Sequence, residues 1–394
     1  MPKSSLWAIG ALLCGCACTE FADNVLLNVP TLRTDGWAER RAALKRMFLE
    51  EMYGERPVER PADLRFETGA DRCLLGGTAV HRQVRIRATG PRGPFAFTAN
   101  AYLPKGGTNL PSFVYAYLGS TARKQVFAPL AECPDTEAFP VSEILKRGYA
   151  VVQFDNWEIA MDDPESCFRT GVFAAWGPSA VERTDRSWGA ISAWAWGASR
   201  VFDWIETQPE FDVRRVAVIG HSRGGKTALL AGVTDERFSL ACVNDSGCSG
   251  AKLNHMKLPR SESIAQINAR FPHWFCRRYH QYGGKELEMP FDQHQMVALM
   301  APRAVAIASS SEDAWAGPRG EFVCAKMASP AWEACGQKGL VAPDGMPQPD
   351  CQLADGTVSY HIKKGPHSIT VRDWNWYMDF ESKLQARKGI VRKW

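Results

Sequence analysis

Five residues constrain this chain more than any other stretch of it: Gly220-His221-Ser222-Arg223-Gly224. Before them, residues 213–219 read as a buried strand, and after them residues 226–233 read as a helix. The chain must therefore pass from strand to helix within a few residues. A turn that tight strains its central residue and demands small neighbours, which the two flanking glycines supply. It also lifts the serine hydroxyl to the strand tip. There it stands above a helix N-terminus whose free N–H groups and positive dipole end suit an anionic oxygen.

Such a turn needs a sheet around it, and the sequence offers one. Residues 37–53 read as an amphipathic helix with Leu44, Phe48 and Met52 at steps of four, closed by Gly54 and Pro57. Residues 62–104 alternate as strands broken by Gly90-Pro91 and Arg92-Gly93-Pro94. Apolar runs predict strands at 113–118, 149–154, 238–243, 304–308 and 358–362. Helices are expected at 188–205, with one apolar stripe, near 293–300, and from about Val371. Segments 156–187, a candidate active-site loop, and 246–290, a large insertion, carry few regular signals, and a long loop is expected between 308 and 358. Strands alternating with helices predict an α/β fold with a mostly parallel, doubly wound sheet. The 394 residues are 45% hydrophobic, ample for a large core, and the net charge of +4 without a dense Lys/Arg block argues against a nucleic-acid partner. Fourteen tryptophans suit flat sugar rings as well as a core.

Two chemistries share the central motif. Gly220, Gly225, Lys226 and Thr227 also satisfy G-x-x-x-x-G-K-[ST], and Asp245 ends an apolar strand as the acid of a nucleotide-binding loop would. The motif's place past the middle of the chain, an apolar leader and a downstream histidine favour acyl transfer instead. A serine at its free pKa is a weak nucleophile, so it needs a base oriented by an acid, here in the chain order Ser, acid, His. His367, in the loop Gly365-Pro366-His367-Ser368 after the last predicted strand, is the expected base; His361 and His294 read as structural. Asp245 and Asp313 both satisfy the order for the acid, and Asp313 follows the strand where this architecture usually keeps it. Lys226 lies one helical turn after Ser222, so both can face one pocket. Cations at 223 and 226 oppose the helix dipole, which points to function rather than to surface charge. Trp315, in a Ser/Glu/Asp/Gly loop, is a candidate ligand platform.

At the N-terminus, residues 6–18 form an apolar and small-residue run after Lys3, too short to span a membrane and suited to a signal h-region. Leu13-Cys14-Gly15-Cys16 loosely resembles a lipobox, which makes a lipid-anchored Cys16 the alternative to simple cleavage. Residues 1–20 are therefore set apart as a signal peptide, and 21–394 as a single catalytic domain with an N-terminal helical and β extension. The expected location is secreted or periplasmic, with anchorage to a bacterial outer membrane as the lipidated variant, and no other run suggests a membrane span. Nine cysteines follow the signal, so at least one stays unpaired, and an exported chain is expected to hold some disulfides. Neither C-x-x-C nor H-E-x-x-H occurs, and neither a metal nor a cofactor is expected.

The motif extends further than the elbow. Val218-Ile219-Gly220-His221-Ser222-Arg223-Gly224-Gly225-Lys226 and then Asn244-Asp245-Ser246-Gly247-Cys248-Ser249-Gly250 resemble the glucuronoyl esterases of carbohydrate esterase family 15. Residues 267–275, Ala301-Pro302-Arg303, Asp313-Ala314-Trp315, Pro318-Arg319-Gly320-Glu321-Phe322 and Gly365-Pro366-His367 extend the likeness from about residue 36 to the C-terminus. The resemblance implies an α/β-hydrolase, a three-layer αβα sandwich, that cleaves esters between lignin alcohols and (4-O-methyl-)glucuronic acid of glucuronoxylan. It implies Ser222 as nucleophile, His367 as base, Arg223 as an oxyanion partner, and Lys226, Glu262 and Trp315 as uronate contacts. The family keeps its acid at the place of Asp245 or of Asp313; many members carry a longer Glu at the first, which favours Asp313. His221 and Ser368 replace the cysteines of fungal members, and Ser261 replaces the usual glycine before the sugar-contacting Glu. Cysteines near the same places in fungal relatives imply a Cys248–Cys324 disulfide. A monomer is expected. Another carbohydrate esterase, such as an acetyl xylan esterase, and a non-catalytic polysaccharide-binding homologue are the rival readings.

Overall fold

The computed structural model describes residues 28–117 and 134–391. The signal segment with Cys16, the strand residue Leu118, and Cys133 lie outside them. Eleven strands make one sheet: β1 (Arg65–Thr68), β2 (Arg72–Leu74), β3 (Ala79–Gly90), β4 (Gly93–Pro104), β5 (Leu110–Tyr117), β6 (Ala150–Asp155), β7 (Phe211–His221), β8 (Leu240–Asn244), β9 (Ala304–Ser310), β10 (Cys351–Leu353) and β11 (Val358–Lys363). Their order is β1-β3-β4-β6-β5-β7-β8-β9-β11-β10, with β2 also on β3. From β6 to β11 every neighbouring pair is parallel. The β extension joins antiparallel through β4 and β6, and β10 closes the far edge antiparallel to β11.

Alternation along the central strands feeds two cores. Val216 and Val218, Ala241 and Val243, Val305 and Ile307 face one; Ala217 and Ile219, Leu240 and Cys242, Ala306 and Ala308 face the other. The first is covered by helices Ala190–Ile205 and Arg223–Thr234, the second by Val141–Lys146 and by Trp374, Tyr377 and Phe380 of helix Val371–Val391. The result is the expected three-layer αβα sandwich of an α/β-hydrolase, mostly parallel at its centre.

Three details differ from the sequence reading. Helix Ala190–Ile205 is buried on every side rather than along one stripe. Its outward tryptophans are capped by the extension and the irregular loop: Trp196 donates to Glu59 O (2.8 Å) and Trp194 to Ala160 O (2.8 Å). The expected loop between 308 and 358 contains helix Pro318–Ala328, opened by Pro318 behind Gly317 at φ 75°. Finally, Cys248 and Cys324 are not joined; all eight described cysteines are free thiols. The Cys248 sulfur faces Ser249 Oγ (3.6 Å) and Asn254 Oδ1 (3.5 Å), while Cys324 points from its helix into the core. Burial pushes both thiols up and keeps them protonated.

Candidate active site

Register places the site. Gly220 and His221 of β7 pair with Val243 and Asn244 of β8, Asn244 pairs with Ala308 of β9, and Ser310 with Lys363 of β11. The C-terminal tips of four parallel strands therefore end side by side, and Ser222, Asp245, Asp313 and His367 all leave from these tips, as ligand sites do in open α/β sheets.

Ser222 sits at φ 58°, ψ −121°, and helix Arg223–Thr234 begins at the next residue. A Cβ on Gly220 would lie 2.0 Å from Gly224 O, so the turn closes only over glycine. With β7 ending at His221, no loop remains between strand and helix to wrap a phosphate chain. That geometry overturns the nucleotide-binding alternative. The Ser222 carbonyl caps the first turn through the N–H groups of Gly225 (2.9 Å) and Lys226 (3.2 Å). The amides of Arg223 and Gly224 stand ahead of them at the positive end of the helix.

His367 meets Asp313 through Nδ1 to Oδ2 at 2.5 Å. Asp313 is held in turn by the Ala316 N–H on its Oδ1 (3.0 Å), in a run of turns rather than an extended loop. The two loops are stitched by the Glu312 N–H to Gly365 O (3.0 Å). Burial pulls the His367 pKa down, but the Asp313 hydrogen bond and charge, with Asp245 behind, outweigh it and the net shift is upward. Burial raises Asp313, and the His367 hydrogen bond reverses this, so the carboxyl ends below its ordinary value. Asp245 is differently placed. Its Oδ2 accepts from Ser310 Oγ (2.7 Å) and faces Lys363 Nζ (3.4 Å), and burial lifts its carboxyl to about 6 despite that cation. His221 lies against the His367 ring at 4.4 Å and bonds Asn244 Oδ1 through Nδ1 (2.7 Å). Burial, then the nearby His367, pull it down to about 3, so it stays neutral.

These groups border a cavity of about 210 Å³ lined by Ser222, Arg223, Lys226, Glu262, Trp274, Trp315 and His367, with Asp245 in its wall. Lys226 is buried, donates to Ser246 O, and is pulled down chiefly by burial, with Glu262 opposing. The buried Glu262 is joined to the other loop by its N–H to Trp315 O (3.0 Å). Trp315 stands 43% exposed at the rim, whereas Trp188, Trp194, Trp196, Trp204, Trp332 and Trp374 are core residues. His361 and His294 are structural as expected: His361 bonds Asp373 inside β11, and His294 is buried.

Arg223 depends on residues the sequence reading passed over. Its guanidinium pairs with Asp162 and lies over Trp274 (4.8 Å) and Phe271 (5.0 Å), which stack on each other at 3.8 Å. Asp162 is fixed by His273 Nε2 (2.8 Å) and Trp274 Nε1 (2.7 Å). Glu321, fully buried behind the site, takes the Gly247 N–H (2.9 Å) and the Ser246 and Ser309 hydroxyls, and burial lifts it to about 7. Asp162 falls in the loop 156–187 already singled out, but nothing local ties it to Arg223. Asp245, Asp313 and His367 bring ligand-type atoms within 4.8 Å of one another. The Asp313–His367 hydrogen bond and the Ser310 and Lys363 contacts to Asp245 already occupy that grouping, which suits proton transfer better than a metal.

A strained serine, an imidazole and a carboxylate carried on the tips of β7, β11 and β9 make this an α/β-hydrolase equipped for serine-dependent acyl transfer. A model of the fungal glucuronyl esterase family matches residues 129–336. A carbohydrate esterase of an unknown prokaryotic organism is 34% identical over 368 residues, covering 87% of this chain and 83% of that one. The 4-O-methyl-glucuronoyl methylesterase of Podospora anserina is 32% identical over 210 residues, 50% of this chain and 42% of that one. Among solved structures, a glucuronoyl esterase from Solibacter usitatus superposes with a TM-score of 0.81 at 32% identity, covering 92% of this chain and 98% of that one. The chain belongs to the glucuronoyl esterase family, carbohydrate esterase family 15.

Proposed function

We propose that this protein is a serine esterase that hydrolyses esters of glucuronic acid, with the acid carried on glucuronoxylan and the alcohol supplied by lignin. The observation that carries the reading is the His367–Asp313 hydrogen bond at the cavity that Ser222 enters from below and that Lys226 and Trp315 line. His367, its Nδ1–H held by Asp313, accepts the Ser222 proton through Nε2 as the hydroxyl attacks the ester carbonyl. The tetrahedral oxyanion is held by the first helix amides and by Arg223. His367 then protonates the leaving alcohol, and water repeats the sequence on the acyl-enzyme. Lys226, Glu262 and Trp315 hold the uronate ring. Residues 21–394 act as one catalytic domain, a monomer, exported by the segment before it. Among the described residues no helix is long and apolar enough to cross a membrane.

Turnover of methyl or benzyl glucuronate by the purified protein, compared with acetylated xylan, tests the reading; faster release of acetate than of uronate would reject it. Arg223→Ala is expected to lower kcat by ~10²-fold with a smaller change in KM, as for loss of an oxyanion donor. A change confined to KM would move Arg223 into ground-state binding. Lys226→Ala and Trp315→Ala are expected to raise KM for glucuronate esters roughly tenfold and to leave a small acetyl ester nearly unaffected, since that ester cannot reach them. Equal losses on both substrates would reject their uronate contacts.

A further inference from the structure

Beneath the cavity lies a buried ion cluster that this mechanism leaves unused. Lys363, the last residue of β11, is 3% exposed. Its ammonium meets acceptors from four segments: Ser310 Oγ at the end of β9 (2.6 Å), the main-chain oxygen of Ser368 next to the base (2.6 Å), Asp245 Oδ2 after β8 (3.4 Å), and Asp373 Oδ2 in the first turn of helix Val371–Val391 (3.3 Å). A buried ammonium is tolerated only when paired and hydrogen-bonded, and here every partner belongs to a segment that shapes the site. Asp373 also takes His361 Nε2 (2.9 Å), Asn244 Nδ2 (3.2 Å) and the Thr370 N–H (2.8 Å), so Lys363 rests on a fixed counter-charge.

Two consequences follow for the base. The loop bearing His367 turns through Gly365 at φ 127°, tied upstream by Glu312 N–H to Gly365 O and downstream by Thr370 N–H to Asp373. Lys363 supplies a tie between these, one residue from the imidazole. Asp245, meanwhile, lies close enough to compete for His367, since their ligand atoms and those of Asp313 fall within 4.8 Å of one another. Lys363 and Ser310 hold this carboxylate by Oδ2, while its buried Oδ1 has no hydrogen-bond partner.

We propose that Lys363 is a positioning residue for the catalytic base: it fixes the loop that presents His367 to Ser222, and it anchors the Asp245 carboxylate through Oδ2 while Asp313 orients the imidazole. The role rests on the acyl-transfer reading above. Its test therefore includes a readout that needs no substrate, the far-downfield proton resonance of the His367 Nδ1–H shared with Asp313. In Lys363→Met, kcat for methyl glucuronate is expected to fall ~10²-fold, the cost of a base displaced by about an ångström, with KM within about threefold. The downfield resonance should shift or broaden. The double variant Asp245→Asn, Lys363→Met removes the cation together with a counter-charge and covers the case in which the single variant does not fold. It should remain as impaired, because the Ser368 tie is still missing. A folded Lys363→Met enzyme with wild-type kcat and an unchanged resonance would overturn the proposal. So would a double variant with the activity and resonance of Asp245→Asn alone. A wild-type protein inactive on glucuronate whose resonance still responds to Lys363→Met would remove the esterase reading and leave the positioning role standing.

Discussion

Ser222→Ala is expected to lower kcat for methyl glucuronate by ~10⁴–10⁶-fold while the protein melts within a few degrees of wild type. The expectation of intact folding has a specific basis. Ser222 occupies φ 58°, ψ −121°, a conformation any residue with a Cβ finds strained, and alanine carries the same Cβ. Its backbone contacts, the N–H to Asn244 O (2.8 Å) and the carbonyl to Gly225 and Lys226, survive the change. Only the hydroxyl is lost, and with it the nucleophile. What remains is the oxyanion site and the ring contacts, which give residual catalysis without a covalent intermediate. Steady-state kinetics beside circular dichroism and thermal melting check both halves. More than a trace of Ser222-independent turnover would mean that another group attacks the ester.

Much of this site was legible before any coordinates, and what was missed shares a physical cause. The elbow was readable because sterics dictate it locally: strand, glycine, serine and helix within a few residues. Chain order pointed to His367 and to Asp245 or Asp313, because a parallel sheet with short connections sets the loops after its strands side by side. The helix at Pro318–Ala328 was missed because its buried face carries Gly320, Glu321 and small residues between Phe322 and Ala328, which read as a loop by periodicity. Only the proline after Gly317 marked its start. Helix Ala190–Ile205 was found, but its full burial was not, since a second covering layer is a tertiary fact. Asp162, Glu321 and Lys363 were invisible as site residues for the same reason. Each has a site partner dozens of residues away: Arg223 for Asp162, the Ser246-Gly247 turn for Glu321, and Asp245 for Lys363. The Cys248–Cys324 pairing, read from resemblance and from the two loops it would tie, is not formed, since both cysteines are free thiols.

The two aspartates that sequence order left level are separated by geometry, and the separation has a measurable consequence. Asp313→Asn is expected to cost ~10³–10⁴-fold in kcat, because an amide facing Nδ1 either accepts a weaker hydrogen bond or donates one and selects the wrong tautomer. Asp245→Asn is expected to cost less than about tenfold, since Asp245 is engaged by Ser310 and Lys363 rather than by the base. The pH profile gives an independent check. His367 must be neutral to accept the serine proton, so kcat/KM falls as pH drops through its pKa in the free enzyme. Burial lowers that pKa, and Asp313 more than restores it, placing it above the ordinary histidine value. Removing the Asp313 charge leaves burial unopposed by its main counterweight, so the acid limb of Asp313→Asn must move to lower pH even as the plateau collapses. In Asp245→Asn the limb moves the same way by a smaller step, because Asp245 raises His367 only as a more distant charge. An Asp245→Asn enzyme as inactive as Ser222→Ala, beside an Asp313→Asn enzyme with a healthy plateau and an unmoved limb, would transfer the orienting role to Asp245.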